Sequence, residues 1–353
     1  MLKVGLLVKY FPMSHRISGL TSFATLLARE LSAYCQLHVF SNCTEQQQRL
    51  SRENDPFTLH RVKSPFWLRA GLYAGKSDLD RMIILSGVYK ARFFYPVFRT
   101  LFMTVPKNIP LYFYQGTIPD SNTSKAFQRL LTKRCTKVIG TNPLMIDKLC
   151  GDFCRKAVFL PPGIDLQIIR DSVVEKTKKI RIGYFNHFKK IKGVDLALKA
   201  FSQLPFDDTE YVVGGCGKLK TEMLNRYSGY KNIKFLGYVN DLPSQLKACD
   251  FIVLPFRNSA SVLGISQTVL EALAAGVAVV GSGTEAITSA VSHEKQGLIF
   301  KDIDGLKDCI TRLHDDEQLR SKLSLQAFES AANFRIENIA KKLFDLVKGA
   351  NNG

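Results

Sequence analysis

The residues best suited to chemistry lie between Leu263 and Ser282, in the stretch LGISQTVLEALAAGVAVVGS. Leu270, Leu273 and Ala274 recur at helical spacing around one carboxylate, Glu271. Ser266 stands just ahead of that turn, where a hydroxyl can cap the first free backbone N–H groups. Gly276 ends the helix, and Val277-Ala278-Val279-Val280 then reads as a short buried strand. A loop, a helix with an open N-terminus and a buried strand make an α/β unit, and the positive end of such a helix suits a phosphate. Metal chemistry is less well marked. Asp78-Leu79-Asp80 and Asp302-Ile303-Asp304 follow no buried strand and sit among turn-like charged residues. Cys150 and Cys154 form a close thiol pair, but no second pair or nearby His completes a zinc site.

These residues need elements to position them. Residues 3–9 read as a buried strand, and a polar loop with Gly19 follows. Leu20, Phe23, Leu27 and Leu31 fall on one helical face, and Gln36 to Phe40 is the next strand. This βαβ opening points to a parallel sheet. Ile109 to Tyr114 reads as a later strand, and the Pro161-Pro162-Gly163 loop closes the first half. The charged stretch from Asp171 to Lys179 reads as a linker. Ile180 to Phe185 opens a second set of strands, and Lys192-Gly193 leads into an amphipathic helix with Leu196, Ala200 and Phe201. Tyr211 to Val213 is a strand that ends in a glycine-rich turn, Gly214 to Gly217. That turn is not a P-loop, because the first glycine would fall on Val212 and Leu219 replaces the Ser/Thr. The tail carries an apolar stripe of Ile336, Ile339, Leu343, Phe344 and Val347.

At 353 residues the chain is long enough for two domains, and 46% hydrophobic residues is ordinary for a globular protein. The first apolar run, Val4 to Val8, is too short for a secretory signal, and no run approaches a membrane span. The eight scattered cysteines are expected to be reduced thiols, so the expected location is cytoplasmic. The net charge of +18 is uneven: residues 1–165 hold 23 Lys and Arg against 10 Asp and Glu. Such a field favours an anionic partner. The run Tyr89 to Phe102 interleaves aromatic and basic residues, and two readings of it stand. It is either a surface that dips aromatics into a bilayer or a buried helix with a basic wet face. An anionic membrane surface is therefore a candidate partner, with the chain peripheral on the inner face of the cell membrane. Nucleic acid is not expected, because no helix-turn-helix, zinc-finger or RNA-recognition pattern occurs.

The Leu263–Ser282 stretch resembles the nucleotide-sugar signature of family 4 glycosyltransferases, whose pattern runs roughly EGFPNVLLEALAAGVPVVAS. Gly264, Leu270 to Gly276 and Val279-Val280 match it. The resemblance implies a GT-B fold, α/β, with two Rossmann-like domains facing across a cleft. The expected boundaries are 1–167 for an acceptor-binding domain, 168–330 for a nucleotide-sugar-binding domain and 331–353 for a helix crossing back to the first domain. It implies that Glu271 holds the donor ribose, while Leu263 stands where the family has a Glu that contacts the donor sugar. In the loop NHFKKIKGVD, Lys192 falls on the family's Lys and His187 on its Arg, the pair that clamps the donor diphosphate. The family's neighbouring segments place Gly264, Ile265, Ser266, Gln267, Thr268, Tyr238, Val239 and Gly215 around the donor. Gly19 is either a phosphate neighbour, as one of the family's paired loop glycines, or a simple loop glycine. Gln115 is a further candidate at the end of its strand.

The activity implied is a retaining transfer from a nucleotide sugar to a glycan or lipid-linked acceptor. The negative charge growing on the leaving diphosphate would be met by Lys192 and a helix N-terminus, so neither metal nor other cofactor is expected. The alternative is a GT-B-fold nucleotide-sugar-binding protein without transfer activity, prompted by Leu263, His187 and the missing second loop glycine.

Overall fold

A computed structural model describes residues 1–9, 11, 19–45, 48, 55–151, 155–172, 174, 178–204, 206–260 and 262–349, with the Ile168 side chain excepted. Ser18, Cys154 and the linker positions 173 and 175–177 lie outside the described residues. The chain divides into two compact units. Unit 1 comprises Met1–Ile164, Ala260–Gly264 and Ile336–Gly353; unit 2 comprises Asp165–Ser259 and Ile265–Arg335.

Unit 1 is built on a parallel sheet of β1 (Lys3–Val8), β2 (Gln36–Ser41), β3 (Thr58–Arg61), β4 (Arg81–Ser86), β5 (Leu111–Gln115), β6 (Cys135–Gly140) and β7 (Ala157–Phe159). Its spatial order is β3-β2-β1-β4-β5-β6-β7, so the winding reverses between β1 and β4. The central strands are buried on both faces and read as continuous apolar runs such as MIIL and LYFY. On one face the helix Gly19–Ser32 packs beside the helix Ile336–Lys348. That last helix buries Ile336, Ile339, Leu343 and Val347. The Tyr112 hydroxyl donates to the Val347 carbonyl at 3.0 Å. Gly163 leaves room for Ile336, whose Cα would lie 2.8 Å from any added Cβ. The opposite face carries the helices Phe66–Gly75 and Phe94–Thr104, whose Phe98 sits edge-on to Phe113 at 4.9 Å.

The Gly19 expectation changes form. Gly19 is the first residue of the helix Gly19–Ser32 rather than part of the preceding loop. Gln115 is also different from expectation: it is fully buried, and its amide N–H groups donate to the carbonyls of Val88 and Thr117, each at 2.6 Å. The short segment Ala260–Gly264 joins unit 1 through backbone bonds from Ile118 to Val262 and from Gly264 to Gly116.

Unit 2 holds a parallel sheet of β8 (Ile180–Phe185), β9 (Thr209–Gly214), β10 (Ile233–Gly237), β11 (Phe251–Leu254), β12 (Ala278–Ser282) and β13 (Gly297–Phe300). The order β10-β9-β8-β11-β12-β13 reverses between β8 and β11. In such open sheets the reversal opens a crevice at the carboxyl ends of the two strands, where ligands bind.

Candidate active site

The loop after β8 carries the basic residues. Asn186 donates from its backbone to the Gly214 carbonyl at 3.2 Å, and Phe188 to that of Cys216 at 2.8 Å. The loops after β8 and β9 are thereby zipped together. Gly215 has φ +147° and lies so close to Asn186 that an added Cβ would sit 2.0 Å from its carbonyl oxygen. Gly215 also donates to the Gly237 carbonyl at 2.6 Å. Gly237 has φ +67°, and the next residue, Tyr238, is 49% exposed. Val239 packs where a side chain on Gly214 would have to go.

A short 3-10 turn, Lys190–Lys192, then delivers Lys192. Gly193 ends that turn at φ +69°, with the Pro255 carbonyl oxygen 1.8 Å from where a Cβ would stand. This close approach presses the β8 loop onto the end of β11. It sets the Lys192 ammonium 4.1 Å from the centre of the Phe256 ring, a cation–π contact. Arg257 braces the same loop: its backbone donates to Ile191 at 3.0 Å, its Nε donates to the Lys190 carbonyl at 3.1 Å, and its guanidinium pairs with Asp195. The Tyr184 hydroxyl, buried beneath, donates to the Lys192 carbonyl at 3.2 Å.

Burial pushes the Lys192 ammonium down to about 7, with a further push from Lys189. Burial also holds the His187 imidazole below its usual range, and Lys189 and Lys192 add to that. The loop is thus rich in positive charge and short of anions. A ligand bringing negative charge would relieve it.

The helix Gln267–Ala274 lies between β11 and β12 in the chain and packs against β12. Ser266 is its N-cap residue, but its side chain makes no cap bond, contrary to the sequence expectation. Its backbone N–H instead donates to the Ala286 carbonyl at 2.9 Å. The Ser266 side chain therefore leaves the amides of the first turn, Gln267 and Thr268 among them, without a cap bond from it. Gln267 is 8% exposed, and its Oε1 has no hydrogen-bond partner. Ile265 is fully buried. One turn further on, burial pushes the Glu271 carboxyl up to about 8. No hydrogen bond or ion pair to that carboxyl is found among the described residues. Ser259 ties the neighbouring turn by accepting from the Ala286 N–H at 3.1 Å and donating to Glu285 at 3.2 Å.

Gly264 and Leu263, which immediately precede this helix start, are part of unit 1. Gly264 packs on Thr141, its carbonyl accepts from the Asn142 side chain at 2.8 Å, and Leu263 is 5% exposed in an apolar core. Sequence reasoning missed Phe256, Arg257 and Asn142. Phe256 and Arg257 carry a local signal, as the residues directly after the apolar strand FIVL; Asn142 carries none beyond its place as a helix cap.

The Asp-x-Asp sequences are occupied structurally. Asp302 caps a helix by accepting from Gly305 at 2.8 Å, and Asp78 pairs with Lys3 at 2.8 Å. A cavity of about 520 Å³ lies at the opposite edge of unit 2, at the starts of β11 and β12. Its cations Lys247 and Arg320 donate to backbone carbonyls.

Comparison with known proteins bears on this frame. Residues 179–316 match the family model described as Glycosyl transferases group 1. Over 120 residues the chain is 34% identical to the N,N'-diacetylbacillosaminyl-diphospho-undecaprenol alpha-1,3-N-acetylgalactosaminyltransferase of Campylobacter jejuni, covering 33% of this chain and 31% of that protein. Over 213 residues it is 26% identical to the GDP-mannose-dependent alpha-(1-6)-phosphatidylinositol monomannoside mannosyltransferase of Mycobacterium tuberculosis, covering 54% and 55%. The chain thus spans about a third to just over half the length of these relatives. The crystal structure of Anabaena HepE in complex with UDP-glucose superposes with a TM-score of 0.77, at 13% identity over 99% of this chain and 100% of that one. The fold is GT-B, with its two parallel α/β sheets.

Proposed function

With a group 1 glycosyltransferase domain over residues 179–316, we propose that this chain is a retaining glycosyltransferase that moves a sugar from a nucleoside diphosphate to a glycan or lipid-linked acceptor. One observation carries the reading. The Lys192 ammonium is held over Phe256 at the β8/β11 reversal, in a loop zipped to the glycine turn after β9, with no carboxylate paired to it among the described residues.

In this reading the donor diphosphate lies against the β8 loop and accepts from Lys192 and His187. Charge grows on the β-phosphate as the anomeric bond breaks. The nearby cations and the first-turn amides of the helix at Gln267 stabilise it, the charge complementarity that lowers such barriers most. Phe256 and Gly193 fix Lys192 before the ligand arrives, so little reorganisation is needed. Glu271 receives the ribose hydroxyls, and the backbone at Tyr238 and Val239 borders the base. The acceptor is presented at an anionic membrane surface by the more basic first unit.

The test is calorimetric titration of UDP, GDP and ADP into the purified chain, beside Lys192→Ala and Glu271→Ala. UDP comes first because HepE, of similar fold, has a crystal structure in complex with UDP. Tight binding of one nucleotide, weakened by both substitutions, supports the donor site. Incubation with that nucleotide's sugars and a panel of lipid-linked acceptors then reads transfer. Nucleotide binding without transfer across the panel would favour a non-catalytic binder, the reading to which the apolar burial of Leu263 lends weight.

A further inference from the structure

We propose that the outer faces of the helices Phe66–Gly75 and Phe94–Thr104 form a docking surface for an anionic lipid bilayer. Six of the thirteen large apolar side chains exposed among the described residues fall between Leu68 and Met103. On the first helix Leu68, Leu72 and Tyr73 are 38%, 52% and 48% exposed, spaced so that they share one outward stripe. Beside the second helix Phe93 is 46% exposed, and Met103 is 74% exposed on its last turn. The inner faces of both helices are fully committed to the core through Phe66, Ala70, Phe94 and Phe98. The exposed set is therefore surplus to folding.

The two helices are one platform. Gly71 lacks a Cβ where Thr104 presses in, at 1.8 Å from the position such an atom would take, and Trp67 meets Phe98 edge-on at 5.0 Å. Charge on the platform has one sign. Arg69 and Lys76 flank the first stripe, and Arg92, Arg99 and Lys107 flank the second. None of these five is ion-paired among the described residues; Arg92 and Arg99 instead lie over the rings of Phe93 and Tyr95. Between residues 63 and 107 the only carboxylates are Asp78 and Asp80, and both engage Lys3. Asp120 accepts from the Ala91 N–H at 3.0 Å.

Apolar tips set among unpaired cations match the interface of a bilayer with anionic headgroups. The apolar groups enter the acyl boundary while the cations meet phosphate. An acidic protein would complement the cations but leave the aliphatic tips without a reason to be exposed. A second copy of this face would set cation against cation. The inference rests on the peripheral location proposed above, but its surface lies wholly within unit 1, so it stands or falls separately from donor binding.

Sedimentation of the full chain with vesicles of phosphatidylcholine, and with vesicles of phosphatidylcholine mixed with phosphatidylglycerol, tests it. Binding is expected to the mixed vesicles alone and to weaken with salt. Leu72→Ser with Phe93→Ser keeps the charge and should lower the partition coefficient at least tenfold. Arg69→Glu with Arg92→Glu should lower it further, about fivefold for each cation removed. Lys341→Glu with Lys342→Glu makes the same charge change on the exposed side of the last helix and should cost much less. Equal losses in that control would mean a general charge effect and overturn the surface. No binding of the unaltered chain to anionic vesicles would also overturn it, and dimerisation abolished by Leu72→Ser with Phe93→Ser would assign the face to self-association. UDP, GDP and ADP titrations of the same variants should match the unaltered chain. A chain that binds vesicles but no nucleotide would sink the transferase reading and leave this one standing.

Discussion

Lys192 and Glu271 are both perturbed by the same cause, loss of water, in opposite directions. Lys192 sits near 7 in the free protein, and a bound diphosphate raises it. Above about pH 7 binding must then take up a proton, so affinity falls by up to about tenfold per pH unit. Calorimetry in two buffers of different ionisation enthalpy should show that uptake. Lys192→Arg, which stays charged, should abolish it, while Lys192→Ala should lose roughly 10- to 100-fold in affinity at neutral pH. For Glu271 the folded value of about 8 lies above the unfolded one. Its contribution to stability is therefore full at acid pH and lost as pH rises toward 8. Glu271→Gln should unfold at a higher temperature than the unaltered chain at pH 8, match it near pH 4, and bind nucleotide more weakly. Such a destabilising carboxyl is what the proposed ribose contact of Glu271 calls for, since burial in the core alone does not favour it.

At the scale of elements, the site depends on backbone approaches that only glycine permits. Gly193 combines φ +69° with the Pro255 carbonyl, so Gly193→Ala should cost more than about 2 kcal/mol in urea unfolding. It should also weaken nucleotide binding, because the β8 loop cannot then seat Lys192 over Phe256. A second prediction concerns the edge of the first sheet. His38 on β2 and His60 on β3 share a hydrogen bond at 2.9 Å, and burial, followed by Lys3, holds His38 below its usual range. The unfolded chain takes the proton first as pH falls below about 6.5, so stability drops there. The difference in urea midpoint between the unaltered chain and His38→Phe should shrink or reverse between pH 7.5 and pH 5.5. An unchanged difference would mean that His38 does not titrate with folding.

At the scale of the molecule, the two units are interleaved in the chain. Unit 1 takes back residues 260–264 and the last helix after unit 2 has begun. The candidate donor groups Lys192, His187, Gly215, Tyr238, Gln267 and Glu271 all belong to unit 2. The bound nucleotide should therefore raise chiefly the unit 2 transition in scanning calorimetry, by about 2.7 kcal/mol at a hundredfold excess over Kd. An equal rise in both transitions would place binding energy outside unit 2. The charge asymmetry belongs to this scale as well: the basic excess lies in residues 1–165, where the apolar-basic platform also lies.

What the sequence determined by itself was whatever rests on local pattern. The buried runs KVGLLV, IRIGYF and FIVL gave parallel strands, because strands covered on both faces are apolar throughout. Helical spacing placed Glu271, and the Lys192-Gly193 pair marked the loop that the fold puts at a sheet reversal. Long-range approach was decided only in three dimensions. No spacing announces that Gly193 must abut Pro255, that Phe256 lies under Lys192, or that Gly264 is clamped by Thr141 and Asn142. Those contacts join residues 62 to 123 positions apart and follow from strand order, which side-chain pattern does not encode. The Ser266 side chain shows the reverse limit: the residue type suits a cap, but the surrounding backbone bonds leave its hydroxyl out of one.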